Sequence, residues 1–160
     1  MFQATVHFQR SADFYETDGM LSNRDGVILR VARLMGLLGK YTEAHERFEA
    51  VAQACANCKL RKFGARDHLL KAVICLLATG DNVAVRKALD RCASISSDWA
   101  GSREARFLGS LVSAAERSDE SAFSAVVQDY DSLLDQWKTI ILAKAKEKTA
   151  EKEHAAELVV

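Results

Sequence analysis

Proline is absent from all 160 residues of the chain, where ordinary usage would place about eight. Because proline breaks helix interiors, a chain with none and only 8 glycines is free to be helical nearly throughout. Apolar residues make up 49%, enough to bury a core, so the chain is not disordered overall. Lys+Arg and Asp+Glu number 22 each, and this balance argues against a nucleic-acid clamp or a polybasic membrane binder. The composition points to an all-α protein.

Apolar spacing places the helices. Val27, Ile28, Val31, Leu34, Met35 and Leu38 predict a helix over about 24–38. Leu69, Leu70, Val73, Ile74 and Leu77 predict one over about 60–79, and Phe107, Leu108, Leu111, Val112 and Ala115 one over about 102–117. Ser22, Asp81 and Ser97 or Asp98 are the candidate N-caps, and Gly39, Gly80 and Ser118-Asp119 the breaks. Seven or eight antiparallel helices joined by short turns are expected. A bend is expected near Asp131-Ser132, and Trp99 and Trp137 are read as core or hairpin anchors.

An internal repeat adds architecture. The pattern Gly39, Tyr41, Ala44, Phe48, Val51 recurs after 41 residues at Gly80, Asn82, Val85, Leu89 and Cys92. After a further 38 it recurs at Ser118, Glu120, Phe123, Val127 and Tyr130, and a backward shift of 40 lays Ala4 and Phe8 on Ala44 and Phe48. The unit is a helical hairpin of about 40 residues, longer than the 34 of a tetratricopeptide repeat. Stacked hairpins form a right-handed solenoid of tetratricopeptide-like repeats over residues 1–142, with a C-terminal helical bundle. Residues 143–160 read as a charged helical or flexible tail with no apolar stripe and nothing to pack on, ending in Leu158-Val159-Val160. Ala4 and Phe8 would belong to a hairpin whose first helix is missing, so the chain is read as the C-terminal part of a longer solenoid.

Chemistry is scarce. No Gly-rich phosphate loop, HExxH or nucleophile elbow occurs, and no cofactor or metal is expected. Cys55-Ala-Asn-Cys58 lacks the second pair that a structural zinc site needs, so Cys55, Cys58, Cys75 and Cys92 are read as plain thiols. His45 and His68 are read as helix-surface residues, and His7 and His154 have no ligand spacing. No apolar run approaches the ~20 residues of a membrane span, and Met1–Phe8 lacks signal-peptide regions, so a cytoplasmic protein is expected. An enzyme is not expected.

Five segments, His7–Tyr15, Leu37–Tyr41, Lys71–Cys75, Gln128–Ser132 and Leu134–Trp137, resemble the soluble NSF attachment proteins. The Tyr-Asp-Ser and Leu-Asp-Gln-Trp pair near the C-terminus is the specific part. The resemblance implies an all-helical adaptor without catalytic activity. Its concave side would lie along a SNARE four-helix bundle, and its C-terminal end would recruit and stimulate the NSF-type AAA ATPase that pulls SNAREs apart. It further implies peripheral membrane association through SNAREs. By position, SNARE-facing basic residues fall on Arg30, Arg66, Lys71 and Arg103, while Gly26 replaces another, moving that contact to Arg24 or losing it. Glu157-Leu158 resembles the family's terminal acidic-Leu pair, and Glu153, Glu157 and Leu158 are the implied ATPase contacts. The tail departs from the family in interleaving lysine with glutamate and in carrying two valines after the leucine. A generic tetratricopeptide-type scaffold or co-chaperone binding a peptide is the competing class. It would need Lys and Asn converging on one groove, and no such set is found.

Overall fold

The structure is a computed structural model that describes residues 21–159, with side chains from Arg24 onward. The Ala4/Phe8 repeat register, the His7–Tyr15 segment and His7 itself lie outside the described residues. Seven α-helices and no strands occupy the described part: α1 (Leu21–Leu37), α2 (Tyr41–Ala56), α3 (Ala65–Thr79), α4 (Asn82–Ile95), α5 (Arg103–Glu116), α6 (Glu120–Asp129) and α7 (Gln136–Val159).

The repeat seen in the sequence is a repeat of turns. Gly39, Gly80 and Ser118 have φ of 82°, 82° and 52°, the left-handed region in which a Cβ is strained. After α1 the Gly39 amide donates to Gly36 O and the Lys40 amide to Met35 O. After α5 the Ser118 amide donates to Ala115 O and the Asp119 amide to Ala114 O, the same pair of bonds that closes a helix with a left-handed residue. Each break is followed by the second helix of a hairpin. Asp81 and Asp119 cap α4 and α6, accepting from Ala84 N at 3.0 Å and Ala122 N at 2.9 Å.

Four details depart from the sequence expectations. Helix α1 begins at Leu21, so position 22 lies inside it and not at its cap. Helix α3 begins at Ala65, not near residue 60, because a 3-10 turn over Lys62–Gly64 precedes it. Helix α5 is capped by Ser102, whose Oγ accepts from Ala105 N at 3.1 Å, and not by Ser97 or Asp98. Residues 96–102 are spent on two turns that tuck Trp99 into the core (3% exposed). The bend at Asp131-Ser132 is a full break: a 3-10 turn over Asp131–Leu133, then a new helix with Asp135 accepting from Lys138 N.

Helix α3 sits at the centre and packs against α2, α4, α5 and α7. Its run of buried residues, Leu69, Leu70 and Ala72–Ala78, wraps the whole circumference, as a helix surrounded by others requires. Phe48, Phe107 and Phe123 are fully buried in one core cluster, and Phe107 lies 5.1 Å from the Tyr130 ring. Helix α7 then doubles back across α6, α3 and α1. There Trp137 packs edge-on against Phe48, centroids 5.2 Å apart, and its indole N–H donates to Arg33 O at 3.1 Å.

The tail reading needs correction. Helix α7 runs unbroken to Val159, and Ala145 and Thr149 are 1% and 3% exposed, so the charged segment does pack on the body. His45 is likewise not a surface residue. It is buried, its Nδ1–H donates to Ala72 O at 2.9 Å, and Arg91 donates to its Nε2. His68 is half-buried, and burial with the nearby Lys71 holds its pKa below the usual histidine value.

Candidate functional site

The four sequence-predicted basic residues fall on alternate helices. Arg30 is on α1, Arg66 and Lys71 on α3, and Arg103 on α5, the first helices of three successive hairpins. In a stack of hairpins alternate helices form one side of the array.

Their availability differs. Arg30 is exposed and, with Arg33, rims a groove of about 560 Å³ walled by Leu37, Ile140 and Trp137. Arg103 is exposed and donates to Ser132 Oγ at 2.9 Å, reaching the Tyr-Asp-Ser segment. Arg66 is 34% exposed and 3.7 Å from Asp98, whose carboxyl is held below the usual range by the Ser96 hydroxyl and the nearby guanidinium. Lys71 is different, only 12% exposed and drawn to Asp67 at 3.0 Å. Arg24, proposed as a replacement contact, is half-buried and lies 4.0 Å from Asp25.

Asp67 also binds Lys138 of α7 at 2.6 Å, and Lys138 is 7% exposed. Burial raises the Asp67 pKa, but the Lys138 and Lys71 ammonium groups outweigh it and hold the carboxyl below its ordinary value. A depressed carboxylate stabilises the fold above its unfolded pKa of about 4, and that stabilisation is lost as pH falls through the native value. Asp67→Asn is therefore expected to lower stability by about 1–2 kcal/mol at neutral pH, because it strands a buried ammonium. In urea melts the gap between the two proteins should close between about pH 5 and pH 2. A gap independent of pH would place the loss outside this ion pair.

Sequence reasoning missed two residues. Leu60 and Phe63 are 92% and 72% exposed on the link between α2 and α3, immediately before Arg66. Lys62 Nζ lies 5.4 Å over the Phe63 ring. Two bare apolar side chains interleaved with Lys59, Arg61, Lys62 and Arg66 form a surface that pairs apolar burial with positive charge. Arg61 fastens this link to α1 through an ion pair with Asp25. The signal in the sequence was two apolar residues set among Lys59, Arg61 and Lys62, inside a span expected to be plain helix.

All four cysteines are free thiols. Burial pushes the pKa of Cys55 up, and those of Cys75 and Cys92 up to about 12. Cys58 is half-exposed, and a hydrogen bond from Arg61 holds its thiol below the usual value. Among the described residues no group of His, Cys, Asp and Glu is placed to hold a metal ion. No helix among them is long and apolar enough to cross a membrane.

At the far end, Glu157 is exposed, and Leu158 and Val159 are 74% and 87% exposed. Glu153 is not equivalent to them: its Oε2 accepts from the Glu120 amide at 3.1 Å.

Comparison with known proteins decides what this arrangement belongs to. The family model for "Soluble NSF attachment protein, SNAP" matches residues 1–150. The chain belongs to the soluble NSF attachment protein family. The alpha-soluble NSF attachment protein of Vitis vinifera is 34% identical over 153 residues, which are 94% of this chain and 53% of that protein. The probable vesicular-fusion protein sec17 homolog of Schizosaccharomyces pombe is 37% identical over 91% of this chain and 51% of its own length. The human alpha-soluble NSF attachment protein is 29% identical over 90% of this chain and 49% of its own. The chain thus spans about half the length of the curated attachment proteins it matches. The all-helical fold agrees with the one the resemblance implied.

Proposed function

We propose that this chain is a non-enzymatic adaptor of intracellular vesicle trafficking. It lies along a SNARE four-helix bundle and recruits and stimulates an NSF-type AAA ATPase for SNARE disassembly. The family match over residues 1–150 carries the reading. The alternate-helix placement of Arg30, Arg66 and Arg103 supports the SNARE side, because long-range attraction to acidic helix surfaces tolerates imperfect registry. Leu60 and Phe63 add apolar area beside Arg66. The bare Glu157-Leu158-Val159 tip supports the ATPase side. Membrane association is peripheral, through the SNAREs, and the site of action is cytoplasmic.

Capture of the hexameric ATPase tests this. The chain is displayed densely, since several weak sites then act together, and is compared with the same chain ending at Ala155. The described residues beyond 155 are exposed, so the fold should survive. Capture is expected to fall about tenfold or more, as when an apolar contact residue is removed from an interface. Equal capture by both chains would remove the tip from the interface. Capture by neither would overturn the adaptor reading for this chain.

A further inference from the structure

We infer that Lys152 and Glu153 form a clasp that aims the terminal helix, so that Glu153 serves ATPase engagement as a positioning residue and not as a contact. The clasp rests on geometry alone, and its bearing on the ATPase rests on the adaptor reading above.

Helix α7 crosses two of the turns that end the repeated hairpin helices, and it reads both. Lys152 Nζ donates to Gly80 O, the carbonyl at the left-handed turn after α3. Glu153 Oε2 accepts from the Glu120 amide at the start of α6. The first amides of any helix lack intrahelical partners. In α6 Asp119 serves the Ala122 amide and Glu153 serves that of Glu120. Lys146 strengthens the seam from about two turns earlier, 3.7 Å from the Glu120 carboxylate.

The residues used by α7 recur as a stripe: 138, 141, 142, 145, 149, 152 and 153, spaced by three and four as one helical face must be. Ala145 and Thr149 are the small members that let α7 lie close, and the Lys148 stem covers Gly80. Beyond Glu153 every described residue is exposed. The clasp is thus the last fastening before the tip. Leu158 stands five residues past Glu153, about 7.5 Å along the axis, but nine past Thr149. Without the clasp the exposed segment doubles in length, and helix ends so poorly held fray.

Two measurements on the full chain test this. Amide hydrogen exchange over 153–159 is expected to quicken about three- to tenfold in Glu153→Ala and in Lys152→Met, the range one lost hydrogen bond allows. ATPase capture by Glu153→Ala should weaken alongside. Glu153→Gln removes the charge but keeps an oxygen for the Glu120 amide, so it should restore slow exchange and capture together. Unchanged exchange in both Glu153→Ala and Lys152→Met would overturn the clasp. Slow exchange with lost capture in Glu153→Gln would overturn the positioning role and make Glu153 a charge contact. If the unaltered chain captures no ATPase, the adaptor reading fails while exchange still decides the clasp.

Discussion

Trp137→Ala is expected to destabilise the protein by about 3–5 kcal/mol, the range for removing a buried aromatic side chain. The indole is 4% exposed, donates to Arg33 O at 3.1 Å and meets the Phe48 ring edge-on. Its loss opens a cavity, leaves the Arg33 carbonyl without its donor and unfastens α7 from α1 at once. The melting temperature should drop by about 10 °C or more for a chain of this size. The opposing surface makes the complementary case. A Cβ at Gly36 would stand 2.9 Å from Trp137 Cζ2, so Gly36→Ala forces a rigid ring to move and should cost about 1–3 kcal/mol. A thermal melt of Trp137→Ala within about 2 °C of the unaltered protein would show that α7 is not held at this point.

The second large effect concerns the surface proposed to face SNAREs. Leu60→Ser with Phe63→Ser is expected to weaken binding to a SNARE four-helix bundle about tenfold or more, in line with the loss of two central apolar contacts. Both side chains point into solvent, so stability should hardly change. Replacing Arg30, Arg66 and Arg103 with glutamine should weaken binding too, but with a different signature. The affinity should become less sensitive to salt, because screened attraction between charges is what was removed. Lys71 separates from this group. Its pairing with Asp67 makes Lys71→Gln a change in stability more than in binding. Titrations at two ionic strengths distinguish these outcomes. A serine double variant that binds normally would take the α2–α3 link out of the interface.

What the sequence made legible is local. Gly39, Gly80 and Ser118 announce the hairpin joints because a left-handed turn needs particular residues whatever surrounds it. Their spacing of 41 and 38 carries the repeat. Non-local packing was less legible. Ala145 and Thr149 are too small to stand out as an apolar stripe, yet their smallness is what lets α7 dock. Nothing local marks Lys138 as buried; its partner Asp67 is 71 residues away in sequence. Leu60 and Phe63 fall in the span expected as the start of α3, where the chain instead makes a 3-10 turn at Lys62–Gly64 and leaves both exposed. Basic character was readable at all four predicted positions, but which of them remains available depends on carboxylates contributed by the fold.

The return of α7 across α6, α3 and α1 changes how the array should come apart. In an open stack each hairpin touches only its neighbours, and such proteins melt progressively from their ends. Here the last helix bonds to the first described one across 104 positions of sequence. Neither end of the described array can peel away without breaking a contact that the other end shares. Loss of structure over the packed helices is then expected to be more concerted than in an open stack.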